Sequence, residues 1–155
     1  MYNYIDTGLS AIQTARERNA GSLETPIVRV LVVDDYEPFR RFVCSKLRQK
    51  PGFLVVGEAS DGLDAVQKAE EQQPDLIVLD LGLPRLNGLE VARRIRKLRP
   101  ECKILFVSQE SSADVAQETL RAGGLGYVVK ANAASELVAA VEAVLQGRKF
   151  LSSGL

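Results

Sequence analysis

The chain has 155 residues, of which 46% are hydrophobic and 26% charged, and its 20 Lys and Arg balance its 20 Asp and Glu. This composition is typical of one soluble globular domain and excludes a collagen-like, rod-shaped or wholly disordered chain. The balanced charge gives no electrostatic footprint for nucleic acid or an anionic membrane. Because the sequence has no histidine, it also excludes imidazole nucleophiles, imidazole metal ligands and phosphohistidine chemistry.

The first 26 residues differ in character from the rest and predict an N-terminal extension outside the folded core. Leu9 and Ile12 fall at helical spacing, so the extension is either a short amphipathic helix or a disordered tail. We expect no membrane association, since there is no signal-peptide pattern and no apolar run near the length of about 20 residues that spans a bilayer. Cys44 and Cys102 lack C-x-x-C spacing, which predicts buried, reduced thiols in the cytoplasm.

From Ile27 onward the sequence alternates between short β-branched runs and amphipathic stretches. This alternation is typical of parallel strands connected by helices. The first run is almost continuously apolar, as expected of a strand covered by helices on both faces. The predicted strands are 27–33, 53–57, 76–79, 103–107 and 127–129. The predicted helices are about 37–49 and 134–146, with three between them that end near residues 72, 98 and 122.

Three of these helices are preceded by residues that favour a helix start. Ser60 or Asp61 is placed to cap the second helix, and Ser112 or the serine before it is placed to cap the fourth. Asn87 has a glutamate three residues later, which resembles a capping box for the third helix. The helix boundaries are therefore better defined than periodicity alone would make them.

Polar side chains follow four of the predicted strands at their carboxyl ends. Asp34 and Asp35 follow the first strand, and Asp80 follows the third. Ser108 and Lys130 follow the fourth and fifth. In a doubly wound sheet the functional crevice lies outside the carboxyl ends of the strands. We therefore expect three carboxylates, a hydroxyl and an ammonium group to converge there.

A cluster of this kind has a definite chemistry. Three neighbouring carboxylates repel one another and raise at least one pKa unless cations offset the charge. Ligands that are all oxygens suit a hard cation, and an incomplete cage that keeps its waters suits Mg²⁺ better than Ca²⁺. With Mg²⁺ and Lys130 neutralising an incoming phosphoryl group, one carboxylate is placed to take it up as an acyl phosphate.

These residues and their spacing resemble the receiver domain of two-component response regulators, the CheY-like domains. The resemblance extends from about Ile27 to Phe150. It is carried by Val33-Asp34-Asp35, by Leu79-Asp80-Leu81-Gly82-Leu83-Pro84 with Asn87-Gly88, by Val107-Ser108 and by Gly126-Tyr127-Val128-Val129-Lys130. The segment from Glu136 to Ser152 further resembles receivers that precede a LuxR-type helix-turn-helix output domain.

The resemblance implies an α/β fold of the flavodoxin-like type. Its doubly wound sheet would have five parallel strands in the order 2-1-3-4-5, with five helices. The receiver domain would occupy residues 27–150, after the extension formed by residues 1–26. Residues 151–155 would then be the start of a linker or a C-terminal tail.

The resemblance also implies how a phosphoryl group is handled. Asp80 would be the phosphoacceptor, supplied by a sensor histidine kinase or a phosphotransfer protein. Lys130 would contact the phosphoryl group, and Ser108 would move to bond it in the active state. Tyr127 matches the aromatic residue of the family's switch, whose inward rotation accompanies that movement, although a tyrosine on a short strand is also commonly a packing residue.

The metal would be held by Asp34, Asp35 and Asp80 together with the main-chain carbonyl of Gly82, and the implied cofactor is Mg²⁺. The implied function is a cytoplasmic phosphorelay switch upstream of transcriptional output rather than an enzyme that turns over an external substrate. We expect no direct nucleic-acid binding by this chain and no membrane contact. Whether it forms a homodimer stays open.

Two other functions compete with the switch. A phosphatase of the haloacid dehalogenase type also uses a strand-end aspartate with Mg²⁺, but it would want a second acidic residue two positions later, where this chain has Gly82. A degenerate receiver acting as a phosphorylation-independent interaction module is the main alternative. Gln109 keeps that alternative open, because it stands beside Ser108 where many receivers have a small residue.

Overall fold

The computed structural model describes residues 26–155, so the predicted N-terminal helix or tail lies outside the described residues. Within this range strands and helices alternate along the chain. The strands are β1 (Val28–Val33), β2 (Phe53–Ala59), β3 (Leu76–Asp80), β4 (Lys103–Ser108), β5 (Gly126–Val129) and β6 (Phe150–Leu151). The helices are α1 (Glu37–Arg48), α2 (Gly62–Gln72), α3 (Gly88–Leu98), α4 (Ala113–Arg121) and α5 (Ala133–Leu145), with a 3₁₀ turn at Lys130–Asn132.

All strands are parallel and form one sheet in the order β2-β1-β3-β4-β5-β6. The predicted doubly wound sheet, its five helices and the order of its first five strands are confirmed. The predicted number of strands is wrong, because a short sixth strand lies beside β5. The backbone N–H of Phe150 donates to the carbonyl of Leu125 (3.1 Å), and that of Ser152 donates to the carbonyl of Tyr127 (2.9 Å). These bonds pair an edge that β5 would otherwise expose.

The alternation of strand side chains divides the apolar core into two layers. One layer packs α1 and α5 against one face of the sheet, and the other packs α2, α3 and α4 against the opposite face. The first contains Val30, Val32, Val78, Leu105 and Val107 from the strands, with Leu47 and Leu137 from the helices. The second contains Leu31, Val33, Ile77, Leu79 and Phe106, with Ala65, Val91 and Ala116. Helices on both faces leave only the ends of the strands for a site.

Three helices, α2, α3 and α4, begin at capping residues that the sequence indicates. The Asp61 carboxylate accepts a hydrogen bond from the backbone N–H of Asp64 (2.9 Å), and Asn87 does the same for Glu90 (3.0 Å). The hydroxyl of Ser112 accepts from a backbone N–H in the first turn of α4. Asp61 rather than Ser60 caps α2, because its carboxylate reaches the free N–H groups of the first turn.

The two cysteines are buried and unpaired, as predicted. Burial raises the pKa of the Cys44 thiol to about 11 and that of Cys102 to about 12. Both thiols are therefore protonated at neutral pH, and neither has the thiolate character of a reactive cysteine. No helix in the part of the chain described here is long and apolar enough to cross a membrane.

Candidate functional site

The strand-end residues that the sequence singles out meet at one cleft. Because β1 is flanked by β2 on one side and β3 on the other, the chain changes direction between β1 and β3, and the crevice lies at their carboxyl ends. The cleft has a volume of about 450 Å³. It is lined by Asp35, Tyr36, Asp80, Leu81, Gly82, Ser108, Gln109, Glu110 and Lys130. Asp34 lies behind this lining and is buried.

Three carboxylates form the acidic part of the cleft. One oxygen from each of Asp34, Asp35 and Asp80 lies within 4.8 Å of the other two. Asp34 and Asp80 are buried, whereas Asp35 is exposed. This all-oxygen donor set, open to solvent at Asp35, is of the kind that holds a hard divalent cation with some of its waters. The residues present therefore fit Mg²⁺.

Lys130 is the cation of the site and lies between two of the carboxylates. Its Nζ is 2.8 Å from Oδ2 of Asp34 and 3.7 Å from Oδ2 of Asp80. The ammonium also lies over the ring of Phe39, 4.6 Å from the ring centroid, which adds a cation–π contact. Lys130 is thus held closer to Asp34 than to Asp80, an arrangement that strand-end reasoning could not distinguish.

The electrostatics of the site single out Asp80. Burial, and then the charge of Asp34, raise the pKa of the Asp80 carboxyl from 3.8 to about 6. Lys130 and a hydrogen bond from the backbone of Gly82 lower the pKa by less than this. An added cation would stabilise the ionised form of this carboxylate, which its surroundings disfavour. A carboxyl group with a pKa perturbed in this way, at an open cleft, indicates a functional site.

The backbone around Asp80 is held by close packing. β3 is buried along its whole length, so Asp80 sits at the end of a rigid central strand. The first residue of α3, Gly88, approaches so closely that a Cβ there would lie 2.3 Å from the carbonyl oxygen of Asp80. Its N–H donates to the carbonyl of Leu81 (2.9 Å). Only glycine permits this approach.

Ser108 and Tyr127 are joined through one residue that the sequence did not indicate. The hydroxyl of Ser108 accepts from the backbone N–H of Glu110 (3.1 Å), and the Tyr127 hydroxyl donates to the Glu110 carbonyl (2.6 Å). Tyr127 is fully buried, and its burial raises the pKa of the phenol. The loop after β4 is therefore tied to β5 through the buried Tyr127 side chain.

Three further residues support the site without a sequence signal of their own. The Tyr36 N–H donates to Oδ1 of Asp34 (2.8 Å), and Arg40 donates to the Asp34 carbonyl (2.9 Å). Phe39, which the helical pattern assigns to an apolar face, supplies the ring beneath Lys130. All three belong to the start of α1 or the residue before it, so they lie close to Asp34 in the sequence, but no pattern marks them as site residues.

Comparison with known families identifies the class of protein that this fold and site define. The family described as "Response regulator receiver domain" matches residues 30–142. The chain belongs to this family. Its members are phosphoacceptors rather than enzymes that turn over an external substrate, and they generally bind Mg²⁺ in an acidic pocket.

Two similar curated proteins are named as transcriptional regulators. A "Putative transcriptional regulator" of Pseudomonas aeruginosa is 41% identical over 126 residues, covering 81% of this chain and 60% of the relative. The "Virulence factors putative positive transcription regulator BvgA" of Bordetella pertussis is 36% identical over 125 residues, covering 81% of this chain and 59% of the relative. The chain therefore spans about 60% of the length of these curated relatives.

Solved structures give the same result. A LuxR-family two-component response regulator from Aurantimonas is 35% identical, with a TM-score of 0.78, covering 82% of this chain and 91% of that chain. The receiver domain of the NarL response regulator from Mycobacterium tuberculosis is 32% identical, with a TM-score of 0.74, covering 79% of this chain and 98% of that chain. Both neighbours are response regulators, and the Aurantimonas protein is described as a LuxR-family member, in line with the sequence resemblance.

Proposed function

We propose that this chain is a phosphorylation switch in which Asp80 takes a phosphoryl group from a sensor histidine kinase or a phosphotransfer protein. The changed site would then alter a protein-interaction surface upstream of transcriptional output. The observation that carries the proposal is the environment of Asp80, a buried carboxylate with a raised pKa at an open cleft, beside two other carboxylates and one lysine.

The chemistry assigned to Asp80 is in-line displacement at phosphorus. A carboxylate oxygen of Asp80 forms the new P–O bond while the bond to the donor breaks, and the donor leaves with that electron pair. The Lys130 ammonium, 3.7 Å from Asp80, would neutralise charge on the phosphoryl oxygens. The exposed side of the cleft admits water, which allows the same site to lose its phosphoryl group by hydrolysis.

The carboxylates of Asp34, Asp35 and Asp80 and the carbonyl of Gly82 are the groups assigned to Mg²⁺. When bound, Mg²⁺ would supply charge neutralisation for the three carboxylates and for the incoming phosphoryl oxygens. Asp34 enters this role with one oxygen bonded to the Tyr36 N–H and the other to Lys130. It is therefore held in orientation before any cation arrives.

The switch is assigned to Ser108 and Tyr127. Ser108 ends β4 at the rim of the cleft, and its hydroxyl has a proton to donate to a phosphoryl oxygen. Because its oxygen already accepts from the N–H of Glu110, and Tyr127 donates to the carbonyl of that same residue, movement of Ser108 would pull on both. This connection supports Tyr127 as a switch residue and not merely as a packing residue.

We extend the proposal to the setting of the protein. It would act in the cytoplasm, with residues 1–26 as an extension, 27–150 as the receiver domain and 151–155 as the start of a linker or tail. That this chain does not itself bind nucleic acid stays a prediction, since the relatives that it spans in part are named as transcriptional regulators. A phosphorylation-independent interaction module is the alternative that the test must exclude.

The test is the intact mass of the protein after incubation with acetyl phosphate, with and without Mg²⁺. We expect one phosphoryl adduct in the wild type that needs Mg²⁺, and none in Asp80→Asn. Asp64→Asn, a substitution on α2 away from the cleft, is the matched control and should form the adduct normally. A folded wild type without an adduct would overturn the proposal and favour the interaction module, as would an adduct that persists in Asp80→Asn.

A further inference from the structure

The end of the described chain returns to the turn that carries Lys130. Ser152 follows β6 and is 3% exposed. Its Oγ accepts hydrogen bonds from the backbone N–H of Val129 (3.1 Å) and from Nδ2 of Asn132 (3.3 Å). Val129 directly precedes Lys130 and Asn132 ends its 3₁₀ turn. One buried hydroxyl therefore contacts the chain on both sides of the lysine.

The proton of this hydroxyl is also engaged. The Ser152 hydroxyl donates to Glu136, whose carboxylate accepts in addition from the N–H (3.0 Å) and the hydroxyl (2.8 Å) of Ser153. A serine hydroxyl has one proton and two lone pairs, so all of its hydrogen-bonding capacity is used. With its proton held by Glu136, the lone pairs of Ser152 are directed to Val129 and Asn132.

Hydrogen bonds stabilise the ionised form of the Glu136 carboxylate. Burial acts to raise its pKa, but the hydrogen bonds from Ser152 and Ser153 outweigh this effect and lower the pKa below its ordinary value. The carboxylate is therefore ionised at neutral pH, in the form that accepts all three of these hydrogen bonds. Because Glu136 belongs to the first turn of α5, it links the end of the chain to a helix of the core.

We propose that Ser152 is a positioning residue for Lys130. The lysine side chain is long and flexible, so its reach depends on where its own backbone is fixed. By holding Val129 and Asn132, Ser152 fixes the turn from which Lys130 extends to Asp34 and Asp80. The inference rests on the proposed function, because Lys130 matters for phosphoryl uptake only if Asp80 is the acceptor.

The position of Ser152 connects the predicted linker or tail to the proposed phosphorylation site. It lies in the segment that the sequence predicts as the start of a linker or tail, next to a strand paired with β5. A displacement of that segment would be transmitted to the backbone on both sides of Lys130 directly, through the hydrogen bonds of Ser152 with Val129 and Asn132. The linker would therefore be part of the support of the phosphorylation site.

The experiment compares Ser152→Ala with Ser153→Ala. The rate of adduct formation from acetyl phosphate with Mg²⁺ is measured by intact mass at a temperature where both variants are folded. We expect Ser152→Ala to slow the reaction about tenfold, the kinetic equivalent of about one hydrogen bond. Ser153→Ala should react at the wild-type rate, because Ser153 contacts neither Val129 nor the Asn132 side chain through its hydroxyl.

A second comparison separates positioning from general destabilisation. In a Lys130→Ala background, Ser152→Ala should cause no further slowing, because the group it positions is gone. The Mg²⁺ affinity, followed by the backbone amide shifts of Asp34 and Asp35, should stay within about twofold in Ser152→Ala, since its metal ligands are untouched. A destabilised cleft would instead lose both rate and Mg²⁺ affinity. If Ser152→Ala does not fold, Glu136→Gln, a substitution at a partly buried position that weakens the same hydroxyl contact, replaces it.

The outcomes distinguish this inference from the function on which it rests. If the wild type forms no adduct at Asp80, both the proposed function and the positioning role of Ser152 are overturned. A wild type that reacts, together with a Ser152→Ala variant that reacts equally fast, overturns the positioning role alone. Equal slowing by Ser152→Ala with and without Lys130 overturns it as well, because the effect would then not pass through the lysine.

Discussion

The central strand β3 has a buried aspartate at each of its ends, and the two have opposite surroundings. Asp75, immediately before the strand, is 2% exposed, and Asp80, its last residue, is 6% exposed. The Asp75 carboxylate accepts from the backbone N–H of Arg29 (2.9 Å) and lies 3.7 Å from the Arg99 guanidinium. Asp80 instead shares one lysine with Asp34, and Asp35 adds a third carboxylate nearby.

The difference shows how one residue type serves stability at one end and reactivity at the other. At the amino end, Asp75 is met by a hydrogen bond and a cation, so its charge is balanced. At the carboxyl end the carboxylates of Asp34, Asp35 and Asp80 meet one ammonium group, that of Lys130, among the described residues that line the cleft, which leaves negative charge that a bound cation can neutralise. Buried charge is thus structural at Asp75, where it is balanced, and functional at Asp80, where one lysine serves more than one carboxylate.

The largest predicted effect is the loss of stability on substitution of Asp75, at the amino end of β3. Removing one partner of a buried ionic network costs about 3–5 kcal/mol, so Asp75→Ala should lower the free energy of unfolding by that amount. For a chain of this length the thermal midpoint should fall by about 10 °C. Circular dichroism melts without Mg²⁺ measure the effect. The folded variant should still form the phosphoryl adduct, and loss of the adduct in folded protein would mean that the two ends are not separate.

A second prediction concerns Lys130, the one cation among the described residues that line the cleft. Lys130→Ala should slow adduct formation from acetyl phosphate by about 100-fold, the usual cost of losing one preorganised group that stabilises transition-state charge. It should also raise the pKa of Asp80 further, because Lys130 lowers it in the wild type. Rates from intact mass between pH 5 and 8 test both effects. Lys97→Ala, on the outer surface of α3, is the control, and an equal rate in both variants would contradict the role of Lys130.

The smallest expected effect is a gain in stability on substitution of Asp80, at the carboxyl end of β3. The folded-state pKa of Asp80 is about 6 and its ordinary value is 3.8, so the fold binds this proton more tightly and loses stability as pH rises between these values. Asp80→Asn resembles the protonated form. In EDTA at pH 7 it should therefore unfold with a free energy about 1–2 kcal/mol higher than the wild type.

The pH dependence provides the check on this gain. As pH falls from 7 toward 4, the folded and then the unfolded chain bind this proton, so the advantage of Asp80→Asn should shrink steadily over that range. Urea melts at pH 4, 5, 6 and 7 follow the difference. A variant that is no more stable than the wild type at pH 7 would show that Asp80 is as well compensated as Asp75.

The sequence predicted the cleft end of β3 much better than the opposite end. Asp34, Asp80 and Lys130 each follow an apolar run, and the geometry of parallel strands brings such residues together whatever the details of packing. Arg29 interrupts an apolar strand, but nothing in its spacing indicates Asp75 or Arg99 as partners, because they come from other elements. A pairing between distant segments has no local signature.

Two features of the site also escaped prediction for physical reasons. The strand Phe150–Leu151 is too short to show the alternation of a β-strand, and it forms because β5 offers it an edge. The contact of Ser152 with Val129 depends on that pairing. Tyr127 was expected from its motif, but its bond to Glu110 uses a backbone carbonyl, which every residue has and which no sequence pattern can single out.

The central claim is that Asp80, and not another buried or clustered aspartate, is the reactive one. The most direct measurement is peptide mapping of the wild type after incubation with acetyl phosphate and Mg²⁺ and reduction with borohydride, which converts an aspartyl phosphate to homoserine. We predict homoserine at position 80 and unmodified aspartate at positions 34, 35 and 75. Homoserine at any of those three positions, or at none of the four, would contradict the account.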